Sequence, residues 1–312
     1  MTAGAVRVNG ILDLYKPRGI TSMEAVRQVR RLTGQKGVGH GGTLDPLAEG
    51  VLPICFGLAT RVMEYLIQGT KLYRMTVRLG VATDTYDSEG QVVSSADASA
   101  VTEQRLDQSL DSFRGSFLQT PPMFSALKSG GRRLYELARA GVEVERQPRQ
   151  VQVSRLLLLD VDLPNATMEV ECGRGIYLRS LAHDIGQALG CGAHLTSLVR
   201  LRAGPFDLEH SVSMQRLEQA CQQGAWQELL VSLDYAMLSM KAVKVNTAAE
   251  RFIRNGQPVS LGAHGHYAQH MESYRVYTQR GHFLGVVRLD KGRGLWMPHK
   301  LFVLDTPSPY AP

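Results

Sequence analysis

Gly37, Gly39 and Gly42 spell G-x-G-x-x-G, the spacing with which a strand-to-helix turn cradles a dinucleotide pyrophosphate. The segment before them reads as the end of a basic helix and not as the strand such a turn requires, so the match is weak. A phosphate-binding P-loop would need Lys and then Ser or Thr after Gly42, where the sequence has Thr43 and Leu44. His264, His266 and His270 have a spacing that could suit a metal. No cysteine or paired carboxylate lies near them, and surface histidines in a basic segment are the simpler reading. No G-x-S-x-G elbow offers a serine nucleophile, and no Cys-His pair stands out. What remains is Asp45, a lone carboxylate in GHGGTLDPLAEGVLPICFGLATR (residues 39–61). Pro46 biases it toward extended backbone, and the glycines at 41, 42 and 50 let the loop pass close to a bulky partner. From local chemistry alone, an Asp-Pro turn is the default explanation.

The elements that must hold this loop mix strands and helices without the βαβα rhythm of a doubly wound sheet. GILDLYKP predicts a strand stopped by Pro17, and Ser22 is expected to cap a helix carrying Val26, Val29 and Leu32, closed by Gly34. VLPICFG predicts a buried strand and TRVMEYLIQG a short helix. KLYRMTVRLG alternates strictly, with Tyr73, Met75, Val77 and Leu79 on one face and Arg74, Thr76 and Arg78 on the other, the pattern of a half-buried strand. Thr102 opens a helix with Leu106, Leu110 and Phe113. RRLYELARAG reads as helical, VQVSRLLLLDVD and ATMEVECG as paired strands, and YLRSLAHDIGQALG as a helix closed by Gly190. Two more helices are expected around Leu217 and Leu229. Near Met240 the pattern changes to short strands with glycines, which predicts a body of residues 1–240 followed by a small domain of residues 241–312.

The run around Asp45 resembles the catalytic motif of the bacterial tRNA pseudouridine-55 synthases, the synthase B family. KPRGITS (residues 16–22), RLGVATDTYDSEG (78–90), PPMFSALKSGGRRLYELAR (121–139), CGRGIYLRSLAHDIG (172–186) and GCGAHLTSLVRLRAG (190–204) resemble the same family in order. The resemblance implies an α+β pseudouridine synthase fold, with a mixed, largely antiparallel sheet and the substrate in a cleft across it. It also implies a small C-terminal PUA-like β domain, for which AAERFIRNGQPV is the clearest stretch. The activity implied is an isomerisation of uridine to pseudouridine at position 55 in the T-loop of tRNA. The bond from uracil nitrogen 1 to the ribose breaks, the base turns while held, and carbon 5 bonds to the sugar. No electrons are lost and no group is imported, so no cofactor is expected.

The same resemblance assigns roles to residues. Asp45 is the expected nucleophile, since an ionised carboxylate can form a transient covalent bond. Burial beside an uncharged base would drive it neutral, so a cation must hold it ionised, and Arg179 matches the family's arginine for that task. Tyr73 matches a tyrosine that stacks on the uracil and could accept the carbon 5 proton. Tyr177 and Leu198 match residues lining the base pocket. A uridine in a folded tRNA loop must leave its stack to arrive there, and His40 matches the ring that takes its place. Each has an ordinary alternative: a solvated helix arginine, core tyrosines and leucine, a loop histidine bonded to backbone. Gly41 departs from the family, which often has a bulkier residue there; the smaller residue leaves room for a looser loop, while Asp45 and His40 stay in register.

Composition agrees with a folded soluble protein. Hydrophobic residues at 44% and charged residues at 21% exclude disordered and collagen-like chains. The four cysteines show no C-x-x-C spacing, which argues for a reducing compartment and against structural zinc. No apolar run approaches the roughly 20 residues of a membrane span, and the first residues lack a secretory core. A cytoplasmic protein is expected. Residues 1–240 hold 25 basic and 25 acidic side chains, while residues 241–312 hold 10 and 4, so the whole surplus of +6 sits in the tail. That asymmetry suggests a polyanionic partner, and the resemblance names it as tRNA, gripped at the T-loop and elbow, with no obligate protein partner implied. A catalytically silent tRNA-binding chaperone is the alternative, and a nucleotide-dependent transferase built on residues 37–42 is a third possibility.

Overall fold

The structure, a computed structural model, describes residues 8–262 and 268–312. One sheet runs through the body in the order Leu230–Val231, Gly10–Lys16, Glu49–Phe56, Ala193–Ala203, Lys71–Leu79, Asn165–Cys172, Arg149–Asp162 and Gly115–Gln119. Val38–His40 and Phe206–Asp207 pair at its side. Glu49–Phe56 and Ala193–Ala203 run parallel, and the other pairings of this sheet are antiparallel. The expected mixed, largely antiparallel sheet is therefore present.

Period-two alternation distributes the side chains. In Lys71–Leu79, Met75, Val77 and Leu79 are buried while Arg74 and Arg78 face out. In Gly10–Lys16 and Glu49–Phe56, by contrast, both faces are covered. Leu12, Leu14, Leu52, Ile54 and Phe56 enter one core with residues of the helices Ser22–Thr33, Glu103–Leu110, Leu178–Leu189 and Met214–Gln222. Ile11, Val51 and Cys55, on the opposite face, enter a second core with Ala59, Val62, Leu66 and Met237.

Two local expectations need correction. Thr21, not Ser22, caps the first helix: its hydroxyl accepts the Glu24 amide at 3.1 Å while the Glu24 carboxylate accepts the Thr21 amide at 2.7 Å. Around Leu229 there is only a 3-10 turn, Trp226–Leu229, which buries Trp226 against Phe56 with ring centroids 5.3 Å apart.

The C-terminal segment forms its own four-stranded sheet of Ala242–Lys244, Ser273–Tyr277, Phe283–Asp290 and Leu295–Leu301, with the helix Thr247–Arg254 beside it. Val276, Leu284, Val287 and Trp296 fill its interior. Tyr277, Phe283, Val286 and Phe302 instead complete the second core of the body. There, too, the fully buried Asp234 carboxylate accepts the Tyr277 hydroxyl at 2.7 Å and the Ser308 hydroxyl at 2.6 Å. His264 and His266 lie outside the described residues; the His270 ring nitrogen accepts the Lys291 amide at 3.2 Å. Among the described residues no helix is long and apolar enough to cross a membrane.

Candidate active site

Asp45, Tyr73, Tyr177, Arg179 and Leu198 line one open cleft of about 470 Å³. The strands Lys71–Leu79 and Ala193–Ala203 form its floor, where Tyr73 pairs with Arg200 and Met75 with Leu198, so Tyr73 and Leu198 stand on one face. Loop residues 43–46, residues 85–89, residues 124–126 and the start of the helix Leu178–Leu189 wall it in.

Three sets of bonds fix the loop of Asp45. Ser22, released from capping and buried, clamps Leu44: its hydroxyl donates to the Leu44 carbonyl at 2.9 Å and accepts the Leu44 amide at 2.8 Å. Lys16, wholly buried, donates to the carbonyls of Pro17 at 2.8 Å and Ile20 at 2.7 Å, and the turn so held presents the Gly19 amide to the Pro46 carbonyl at 2.8 Å. Burial pushes the Lys16 ammonium down to about 8, with the Asp45 carboxylate pulling the other way. From the sheet side the buried Arg200 guanidinium donates to the carbonyls of Val51 (2.6 Å), Thr43 (3.3 Å) and Gly42 (3.1 Å). Gly50, at φ +102°, is obligatory beside it, because a Cβ there would stand 2.3 Å from the Arg200 carbonyl oxygen.

Arg179 is not a solvated helix residue. Its side chain is 6% exposed, and its Nε donates to Asp45 Oδ2 at 2.9 Å. The remaining donors go to the carbonyls of Thr85 at 3.3 Å and Phe124 at 2.9 Å, and Nη1 lies 3.4 Å from Asp87 Oδ2. A guanidinium offers five N–H donors in a fixed fork, and here they are divided among four residues from three segments of chain. Asp45 keeps 38% of its side chain exposed, toward the cleft. The helix start that carries Arg179 is fixed by the buried Gln119, whose side chain accepts the Tyr177 amide at 2.8 Å and donates to the Tyr177 carbonyl at 3.1 Å.

Burial pushes the Tyr73 and Tyr177 phenols up, so both rings are neutral surfaces. His40 stands apart from the cleft lining, in the short strand Val38–His40, where its Nδ1 accepts the Gly42 amide at 3.4 Å. Burial and the Arg200 charge push its imidazole down, which keeps the ring neutral. Gly41 does not loosen the loop. Leu66 occupies the place of a side chain, since a Cβ on Gly41 would lie 2.6 Å from Leu66 Cδ1, and the Gly41 amide donates to the Pro53 carbonyl at 2.8 Å.

Sequence reasoning missed Asp87, Arg200, Lys16 and Gln119. Asp87 sits in the acidic stretch TDTYDSEG, yet its side chain is only 5% exposed. The signal available was Thr85, whose hydroxyl donates to Asp87 Oδ1 at 2.6 Å, two residues away in the same segment. Arg200 lies in an apolar-basic alternation, VRLR, that reads as an ordinary strand.

A carboxylate held by a buried arginine at the rim of an apolar cleft on a mixed sheet defines a class, and known proteins supply its members. Residues 30–178 match the model of the TruB family pseudouridylate synthase N-terminal domain, and residues 179–242 that of the tRNA pseudouridylate synthase B C-terminal domain. The chain is 40% identical over 304 residues to a tRNA pseudouridine synthase B of Dehalococcoides mccartyi, covering 97% of this chain and 100% of that protein. It is 45% identical over 251 residues to one of Geobacter sulfurreducens, covering 80% and 83%. In fold it is similar to a chain from the crystal structure of a Cbf5-Nop10-Gar1 complex, with a TM-score of 0.72, 24% identity, and coverage of 97% of this chain and 87% of that one. The chain belongs to the TruB family of pseudouridylate synthases.

Proposed function

We propose that the cleft isomerises uridine to pseudouridine in tRNA, at position 55 of the T-loop, with Asp45 as the nucleophile. The observation that carries this reading is the Asp45 carboxylate, open to the cleft on one side and held by the Arg179 guanidinium at 2.9 Å on the other. Family membership and the names of the relatives support the reaction and its tRNA substrate.

The reaction needs no net exchange with solvent. The N1–ribose bond breaks, the detached uracil turns, carbon 5 bonds to the ribose, and the proton lost from carbon 5 is balanced by one gained at nitrogen 1. The site must hold a free base through that turn, and Tyr73 and Leu198 offer it a flat apolar floor. Arg179 orients Asp45 through a charge-assisted bond and is itself fixed by backbone carbonyls, so little reorganisation is needed as charge moves. A Tyr73 phenol pushed up by burial is a poor proton acceptor, which favours stacking as its role. The uridine reaches the cleft by flipping, and the neutral ring of His40, outside the cleft, fills the gap left in the RNA stack. The basic C-terminal domain of residues 241–312 grips tRNA backbone phosphates. The four free cysteines, three of them buried, agree with a cytoplasmic setting.

The test is Asp45→Asn on unmodified tRNA transcript without added cofactor, with pseudouridine mapped by chemical labelling. Product is expected from the parent and none from the variant, with tRNA affinity kept within a few-fold. Near-parental turnover in the variant refutes the role of Asp45; binding without product in the parent supports a silent RNA chaperone instead.

A further inference from the structure

The 3-10 turn Gly57–Val62 and the helix Met63–Gln68 form a wedge between the loop of Asp45 and the C-terminal domain. On the loop side the wedge meets bare backbone. A Cβ on Gly39 would lie 2.9 Å from Met63 Sδ, and one on Gly41 would lie 2.6 Å from Leu66 Cδ1. On the other side Glu64 faces two cations of the strand Leu295–Leu301, Lys300 Nζ at 3.1 Å and His299 Nε2 at 3.6 Å. Lys300 also donates to the Arg61 carbonyl at 2.5 Å and lies 5.7 Å from the centroid of the Tyr65 ring. Arg61 donates to the Leu301 carbonyl at 2.9 Å, with its guanidinium 4.9 Å from the centroid of the Phe302 ring. Beneath these polar contacts Val62 and Leu66 share one apolar core with Tyr277, Phe283, Val286 and Phe302.

We infer that this wedge carries the seating of the C-terminal domain to the loop of Asp45, and that Glu64 is a positioning residue for the reaction. The inference rests on the reading of Asp45 as nucleophile. A six-residue helix has no stable position of its own, so its place is dictated by what it packs against. Close packing on both sides means that a shift of the strand Leu295–Leu301 is passed on and not absorbed. At Gly39 and Gly41 no side chain lies between the helix and the loop backbone, which leads through Gly42 and Thr43 to Asp45. Displacements of about 1 Å at a reacting group are enough to slow an enzyme markedly.

The test uses the full chain and unmodified tRNA transcript, and reads single-turnover rate at saturating tRNA, tRNA affinity and thermal unfolding. Glu64→Lys sets like charges against Lys300 while adding a positive charge, so weaker phosphate binding cannot explain a slower reaction. A partly exposed ion pair is worth up to about a factor of five in an equilibrium, and the rate is expected to fall about two- to five-fold with affinity no weaker than in the parent. Glu64→Gln falls between the parent and Glu64→Lys. Combining Glu64→Lys with Lys300→Glu restores the attraction but gives up the Lys300 contacts to the Arg61 carbonyl and the Tyr65 ring, so the rate recovers in part. A parental single-turnover rate in Glu64→Lys overturns the inference, and so does a charge-exchanged double variant that stays as slow as Glu64→Lys. Asp45→Asn is run beside them: product from that variant removes the nucleophile reading by itself, whatever Glu64 does.

Discussion

Replacing Asp87 by Asn asks whether Arg179 must be held from both sides. Asp87 Oδ1 accepts the Thr85 hydroxyl at 2.6 Å and the Glu89 amide at 3.1 Å, which leaves Oδ2 to face Arg179 Nη1 at 3.4 Å. An asparagine that keeps its oxygen at the first position sets an NH2 group against the guanidinium, donor against donor; the flipped amide sets it against the Glu89 amide. Either way one donor loses an acceptor. The Arg179–Asp87 contact is a buried ion pair, and leaving a buried polar group short of a partner costs about 1–3 kcal/mol, more for charged groups. The lower end applies, because Nη1 keeps the Thr85 carbonyl at 3.3 Å and the contacts of Nε and Nη2 are untouched. About 1.5–2 kcal/mol corresponds to a ten- to thirty-fold slower reaction if the Arg179 fork is what aims Asp45. The assay is single-turnover pseudouridine formation at saturating tRNA, with affinity and melting temperature measured in parallel. A parental rate, or a loss that disappears at saturating tRNA, refutes the reasoning.

Asp13 provides a pH signature of stability. Its carboxyl, 9% exposed and with Oδ1 lacking any partner, is pushed up to about 7 by burial and then by Asp207, with His210 and Arg200 only partly offsetting them. The folded chain thus keeps a proton that the unfolded chain releases near 3.8, so the contribution of Asp13 is intact below that pH and lost as pH rises through about 7. Asp13→Asn is expected to be more stable than the parent at pH 8, by up to about 4 kcal/mol, with the gap closing toward pH 4; a gain that does not change with pH in thermal unfolding contradicts this. Gly41→Thr is expected to lower the melting temperature through the collision with Leu66, and adding Leu66→Ala should cost about 1 kcal/mol less than the two single losses summed. Strict additivity in that cycle would show that the two sites do not compete for space.

The legible parts of the fold were those with a local period or a local stop. Lys71–Leu79 alternates because one face is core, and Gly34 ends its helix at φ +68°, so both could be read directly. Pairing could not be read in the same way. The parallel contact that sets Glu49–Gly50 beside Val199–Arg200 joins residues some 150 positions apart, and nothing in either segment names the other. Ser22 shows how local chemistry misleads. It and Thr21 are adjacent hydroxyls with equal claim to the cap, and only burial decides that Ser22 turns inward to Leu44. Asp45 was recoverable because its whole loop carries the family resemblance. The surroundings of Arg179 were not, since its acceptors come from residues 45, 85, 87 and 124, which meet only in three dimensions.

Counting charge by segment places the whole surplus after residue 240, with smaller basic excesses inside the body at residues 1–36 (seven basic, two acidic) and 128–155 (seven and three). The shared core and the buried Asp234, bonded to Tyr277 and Ser308, join the two parts physically. Neutrality of the body is also a sum and not a distribution. Lys128–Ser129 and Arg132–Arg133 form an exposed hairpin that leads into the helix Leu134–Arg139, and that helix contributes Tyr135 and Arg139 to the lining of the cleft. Basic side chains therefore stand at the cleft from the body itself, whatever the net count, facing the carboxylates of Asp45, Asp87 and Glu89, and charges act over about a Debye length and not over a whole chain. If the C-terminal domain grips RNA as proposed, this hairpin and Arg139 offer the same polyanion a second basic contact at the cleft. On the proposed function, an RNA held at both points would present one nucleotide over the cleft, the geometry that flipping a single base requires.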